Sequence, residues 1–283
     1  MRSRKKLILL AALAAAVPVA VSVALAASPG DVTATDLRSL EPVNFLTVCR
    51  FSHRKPDDPI VFPGRPGLSH GHTFVGNEST DAFSTPKSLR AGATTCDRAE
   101  DTAAYWAPTL LVENQPVTPV EATVYYRRRT LQRVRPFPQG LEIVAGDSHA
   151  MEPQSLRVTW WDCGDRGGVA PSSTVPTCPN GRASSLRLHV RFPDCWDGRH
   201  LDSPDHKSHM AYSSHGRCDA VHPVAVPSLS ITMQYPVAGG AGVELSSMGQ
   251  LSGHADFVNA WQQAELTRLV DYCLNALRIC GSR

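Results

Sequence analysis

Charged and aromatic residues are both scarce in this sequence. Of 283 residues, 19% are charged and 7% aromatic, against 42% hydrophobic. That composition excludes a disordered tail and a coiled coil. There is no excess of either charge sign. Residues 1–26 hold four basic side chains (Arg2, Arg4, Lys5 and Lys6) and no acid, leaving 24 basic residues against 26 acidic ones. So neutral a remainder excludes a general nucleic-acid binder, which needs basic residues to pair with phosphates. Cys-x-x-Cys is absent, which argues against a thiolate zinc site. No zinc-protease spacing and no calcium loop are present. What the chain does have is turn residues, with 20 Gly and 22 Pro, together with 8 Cys and 11 His. This is the profile of a loop-rich, β-rich globular protein, long enough to bury a core.

The N-terminus accounts for the cysteines. A basic start precedes the apolar run Leu7 to Ala26, which ends in the small-x-small signal Ala24-Leu25-Ala26. The run is long enough to cross a membrane, so an uncleaved anchor is the competing reading. Pro18 within it and the Ala-x-Ala ending favour a signal peptide over residues 1–26. The expected mature protein is secreted and extracellular, with no membrane attachment after cleavage. It would begin at Ala27 or Ser28, so it lacks the N-terminal histidine of a copper histidine brace. All eight cysteines follow the cleavage point, and an even number in an exported chain reads as disulfides. Short loops favour four local pairs: Cys49–Cys96, Cys163–Cys178, Cys195–Cys218 and Cys273–Cys280.

Residues 27–40 are small and polar and read as a linker or unpaired arm; residues 41–283 read as one β-rich domain. Three segments alternate with period two, the pattern of half-buried strands. Leu186, Leu188, Val190 and Phe192 alternate with basic or polar residues, as do Leu229 to Tyr235 and Val120 to Tyr126. Weaker strand candidates are Phe45–Arg50, Tyr105–Val112, Leu141–Ala145 and Leu156–Asp162. Turn residues separate nearly all of them, which predicts antiparallel sheets. The expected fold is mainly β: an antiparallel β-sandwich-like domain with long disulfide-tied loops. From Asp256 to Leu277, apolar residues fall at helical spacing, which predicts a C-terminal amphipathic α-helix with Asp256 as its cap or first-turn acid.

Three connections, roughly 50–104, 163–184 and 193–227, are too long to be simple turns. Two of them carry most of a set of histidine-bearing segments: Ser69-His70-Gly71-His72, Asp202-Ser203-Pro204-Asp205-His206-Lys207-Ser208-His209 and, near the C-terminus, Gly253-His254-Ala255-Asp256. Histidine is the commonest acid/base group and a common metal ligand. The His-x-His pair puts two imidazoles on one side of an extended strand. Asp202 and Asp205 could orient His206 and His209 as carboxylate partners. Isolated histidines are more often hydrogen-bonded loop or core residues, and His53, His149, His189, His200 and His215 are read that way. The candidate catalytic set is therefore His70, His72, Asp205, His206, His209, His254 and Asp256, with a divalent metal possible. Aromatic rings beside acids are what sugar recognition uses. Tyr105, Trp106 and Trp196, with Asp58 and Asp202, are the candidate substrate-binding residues. The competing reading is that Trp106, Trp160, Trp161 and Trp261 simply fill the core.

The ordered motifs Asp57-Asp58-Pro59-Ile60-Val61-Phe62-Pro63-Gly64, Ser69-His70-Gly71-His72, Tyr105-Trp106-Ala107-Pro108, Phe192-Pro193-Asp194-Cys195-Trp196-Asp197-Gly198, Leu201 through Tyr212 and His254-Ala255-Asp256-Phe257-Val258-Asn259 resemble the "domain of unknown function 1996" family of secreted actinobacterial and fungal proteins. One departure is Ala260 before Trp261, where that family usually has glycine. The resemblance implies an extracellular protein acting on polysaccharide or cell wall, without naming a reaction. Two functions stand open: a carbohydrate-active enzyme, hydrolase or lyase, using the His/Asp cluster, and a non-catalytic module that binds cell-wall glycan. A purely structural metal site is a third.

Overall fold

The computed structural model describes residues 34–164, 169–179 and 186–281. The expected signal peptide, most of the arm and part of the Cys163–Ser184 segment lie outside them. In chain order the strands are β1 (Asn44–Cys49), β2 (Phe51–Lys55), β3 (His72–Gly76), β4 (Ala104–Pro108), β5 (Leu110–Val112), β6 (Gln115–Pro116), β7 (Glu121–Arg127) and β8 (Glu142–Gly146). They continue with β9 (Thr159–Asp162), β10 (Leu186–Arg191), β11 (Cys195–Trp196), β12 (Met210–Ala211), β13 (Val224–Ala225), β14 (Ser228–Tyr235), β15 (Val243–Leu245) and β16 (His254–Val258). The helices are α1 (Ala34–Leu40), α2 (Pro86–Arg90) and α3 (Gln263–Leu269), the last running into a π-helical turn, Val270–Asn275.

Two five-stranded antiparallel sheets form the body. The first has the order β1-β7-β14-β10-β9 and the second β2-β3-β4-β16-β8. The three strongly alternating segments became β7, β10 and β14, the centre of the first sheet. There the alternation has its expected cause: β7 buries every second residue and leaves the rest half-exposed. Inward residues of both sheets make one core. Phe45, Val124, Tyr126, Leu229 and Ile231 meet Val75, Tyr105, Ile143, Ala255 and Phe257 across the interface. A buried polar knot ties it: the Tyr105 hydroxyl meets the Asp101 carboxylate at 2.9 Å, and Trp261 Nε1 donates to Tyr126 Oη at 2.8 Å.

The second sheet is covered on both faces. Its far face is roofed by the long segment before and after β3, where Ile60 and Leu89 pack on Phe74, Trp106 and Val258. Leu89 comes from α2, which Pro86 starts and the Thr85–Ser88 capping box closes. Accordingly β3, β4 and β16 are buried at every residue.

The double cover corrects one expectation. Asp256 caps no helix; it sits mid-strand in β16, between β4 and β8, and the helix begins only at Gln263. A strand buried on both faces has no polar side, so its run of apolar residues merged with the helical pattern that follows. The arm also differs from expectation, since residues 34–40 form α1 and Leu40 is buried. All four local disulfides are formed. Among the described residues no helix is long and apolar enough to cross a membrane.

Candidate functional site

The roofed face of the second sheet carries the chemistry. Register places Phe74, Trp106, Asp256 and Val144 in one row across β3, β4, β16 and β8. In the neighbouring row His72 lies opposite Pro108, and His254 opposite Gly146. The roof is pinned above them by two adjacent acids. Asp58 Oδ1 accepts from the Ile60 and Val61 amides, both at 3.0 Å, and Asp57 Oδ1 accepts from the Gly67 amide at 3.0 Å. These bonds fold the segment ahead of His70, and His72 on β3 joins it to the sheet by a bond to Asp57 O.

Three imidazoles converge there. His70 Nε2 lies 3.1 Å from His254 Nε2, and the ring centres of His70 and His72 are 4.2 Å apart. One ligand atom from each of His70, His72 and His254 falls within 4.8 Å of the others, and the same holds for Asp58, His72 and Asp256. Backbone carbonyls fix two tautomers. His72 Nδ1–H donates to Asp57 O at 2.9 Å, and His254 Nδ1–H donates to Ser252 O at 2.8 Å. A carbonyl only accepts, so each neutral ring keeps its lone pair on Nε2. His72 Nε2 is buried and unpartnered, and so are Asp256 Oδ2 and Trp106 Nε1. A cavity of about 250 Å³ opens between His70, His254, Asp58, Asp256 and His149.

The electrostatics follow from burial. Desolvation holds all three rings in their neutral form, taking His70 down to about 4 and His254 down to about 3, with His72 also well below the usual value. The same burial pushes Asp58 and Asp256 up, and in Asp256 the Asp58 charge adds to it. Glu142, at the start of β8, is the group that sequence reading missed. Burial, then the charges of Asp202 and Asp58, push its carboxyl up to about 7. Its position opening the weak strand candidate Leu141–Ala145 was the available signal, but nothing in the sequence placed it near other acids.

The remaining candidates divide. His206 holds a left-handed conformation, φ 57°, and its Nδ1 meets Asp202 Oδ2 at 2.8 Å. Neither residue lines the cavity, but the Asp202 charge acts on Glu142, which also feels Asp58. His209 is instead a buried strut, with Nε2–H donating to Glu142 O at 2.7 Å and Nδ1 meeting Ser203 Oγ at 2.9 Å. Asp205 is exposed and closes its own turn, accepting from Ser203 Oγ and the Lys207 and Ser208 amides. Tyr105 lies wholly inside the core and Trp106 wholly under the roof, so neither offers a ring face to a sugar. Trp196 is half-buried, its Nε1 donating to His200 O at 2.6 Å. Gly67-Leu68-Ser69-His70-Gly71 also spells the Gly-x-Ser-x-Gly of serine hydrolases. It lies in the roof before β3 rather than on a strand-to-helix turn, and Ser69 Oγ has no partner to activate it.

The profile of a domain of unknown function, DUF1996, matches residues 58–261. The chain belongs to that family. In this DUF1996 protein the matched stretch opens on Asp58 and ends just beyond β16, so it takes in the whole cluster: Asp58, His70, His72, His254 and Asp256. No curated protein and no solved structure matches the chain.

Proposed function

We propose that this DUF1996 protein is a secreted carbohydrate-active enzyme that cleaves polysaccharide or cell-wall glycan. Its active centre is the cleft formed by His70, His72, His254, Asp58 and Asp256, bordered by Glu142, Asp202 and His206. The observation that carries the reading is the meeting of three imidazoles and two buried carboxylates in two groups that share His72, with His70, His254, Asp58 and Asp256 lining one cavity. Structural polar groups end on partners, whereas His72 Nε2 and Asp256 Oδ2 are left open. A carboxylate is a base and a protonated carboxyl an acid, the pairing that glycosidic cleavage or proton abstraction beside a uronic acid needs. Glu142, held near 7, is poised to exchange a proton at neutral pH. Four disulfides and the absence of a membrane-crossing helix among the described residues agree with an extracellular setting.

The non-catalytic binding module is the weaker reading, because Tyr105 and Trp106 present no stacking surface. A panel of polysaccharides, scored both for new reducing ends and for the ultraviolet absorbance of unsaturated uronides, decides between them. The expected outcome is product from the wild type and a loss of at least about 100-fold in turnover for Asp256→Asn with glycan binding retained. Binding without product from any polymer would sink the enzyme reading.

A further inference from the structure

We propose that His70, His72 and His254 hold a divalent transition-metal cation through their Nε2 atoms, with Asp58 and Asp256 at its side. The assignment deepens the reading of this cluster as a functional centre and rests on it, while naming the ion that the centre takes.

The backbone has set the ligands. A histidine that binds metal through Nε2 commits its Nδ1–H to a carbonyl or carboxylate, which fixes the ring and aims the lone pair. His72 and His254 both do this, to Asp57 O and Ser252 O. With no ion, His254 Nε2 has only the His70 ring to face and His72 Nε2 has no partner at all, although His72 is fully buried. His70 retains the freedom to join, because its Nδ1 makes no protein hydrogen bond among the described residues and its side chain reaches the cavity. One ion satisfies all three rings together.

The spacing suits a small ion. Two nitrogens on one tetrahedral zinc, at about 2.0–2.1 Å each, stand about 3.3 Å apart. His70 and His254 already stand at 3.1 Å, with all three donors inside 4.8 Å. Donor chemistry narrows the class further. Imidazole nitrogen suits zinc, copper and nickel, whereas calcium and magnesium require oxygen-rich shells. Asp58 and Asp256 are both buried, and each offers an oxygen within 4.8 Å of a His72 ring nitrogen, which puts them beside the ion. The cavity leaves room at the ion for a water or a substrate oxygen, the mark of a catalytic rather than a closed structural site.

The test uses the full secreted chain, stripped with chelator and titrated with zinc alone, with calcium as comparator. One zinc per chain is expected, and no saturable calcium. His72→Ala and His254→Ala should each weaken zinc by at least about 100-fold, and His200→Ala, at an exposed position, should change nothing. Both target rings are buried, so His70→Ala, at the cavity mouth, is the variant whose fold is checked by circular dichroism; it should weaken zinc by at least about tenfold. Cobalt substitution gives a second readout, a visible band that disappears with any of the three. A folded wild type without stoichiometric zinc overturns the assignment, as does zinc that survives all three substitutions. Stoichiometric zinc with no glycan cleavage removes the enzyme reading and keeps the ion; cleavage that persists after chelation does the reverse.

Discussion

His70 and His254 are 184 residues apart in the chain, yet their Nε2 atoms lie 3.1 Å from each other. One comes from the roof and the other from the central strand β16, so the contact depends on how closely the roof sits on the sheet. Within the sheet, the place of His254 is set by a close approach of β8 to β16 at Gly146, the β8 residue opposite it. Its φ is +84°, and a Cβ there would lie 2.4 Å from Gly253 O and 2.8 Å from the His254 Cα.

Gly146→Ala therefore combines an unfavourable backbone conformation with a backbone clash that no rotamer relieves. The expected loss is about 3 kcal/mol of folding stability, measured by denaturant unfolding. A stability within 0.5 kcal/mol of wild type would show that β8 and β16 are not held this closely.

Glu142 provides a pH signature. Its carboxyl is raised from 4.5 to about 7 in the folded protein, so ionising it costs stability. The cost is absent below about pH 4.5, grows as pH rises and is complete above about 7. Glu142→Gln should thus be neutral at pH 4 and stabilising at pH 8 by on the order of 1–2 kcal/mol, with allowance for solvent screening. Cleavage by this variant, if Glu142 exchanges the proton, should lose its pH limb near neutrality. Equal stability increments at both pH values would contradict the assignment.

On the other sheet, Asp162 lies between the Arg187 guanidinium and the His189 ring. Its Oδ1 is 2.6 Å from Arg187 Nε and its Oδ2 is 3.0 Å from His189 Nε2. Burial alone would raise this carboxyl; the His189 and Arg187 hydrogen bonds outweigh it and hold it well below the usual carboxylate value. A depressed acid contributes stability above its unfolded pKa of 3.8, and that contribution fades as pH falls below it. Asp162→Asn should cost about 2 kcal/mol at neutral pH, and the difference from wild type should shrink in melts taken below about pH 3. A gap that stays constant into acid would rule out the ion pair as its source.

The Cys195–Cys218 bridge closes the loop that carries Asp202 and His206, with a sequence separation of 23. Replacing both cysteines by serine should cost roughly 3 kcal/mol by loop entropy. Because this loop gives the core of the two sheets only Met210 and the edge of Trp196, the variant should stay folded at 25 °C and lose glycan turnover out of proportion to its stability. Unchanged turnover would show that the Asp202–His206 pair is not needed at the cleft.

The first sheet could be read from the chain because one of its faces is polar. Leu186 to Phe192, Leu229 to Tyr235 and Val120 to Tyr126 alternate between apolar residues on the core and polar residues on the outer face, which is half-exposed in β7 and mostly covered in β14. The inner strands of the second sheet have no such face. β3, β4 and β16 are buried throughout, so period-two reading was blind to β16 and extended a helix across Asp256. The disulfide pairing was legible for a different reason, as short loops close at the lowest entropic cost.

The sequence by itself determined the β-rich class, the cysteine framework and the segments that carry histidine. Composition and local spacing act over a few residues and need no partner to be seen. Only the tertiary structure decided which of those residues meet. Nothing local separates His72, whose Nε2 has no partner, and His254, whose Nε2 meets only the His70 ring, from His209, whose ring nitrogens are both spent on Ser203 and Glu142. Nor does spacing tell the buried Tyr105 and Trp106 from rings free to stack, or mark Glu142 as a neighbour of Asp58 and Asp202. Those differences arise when a roof is laid across a sheet, because burial and proximity are properties of the packed face, not of the strand.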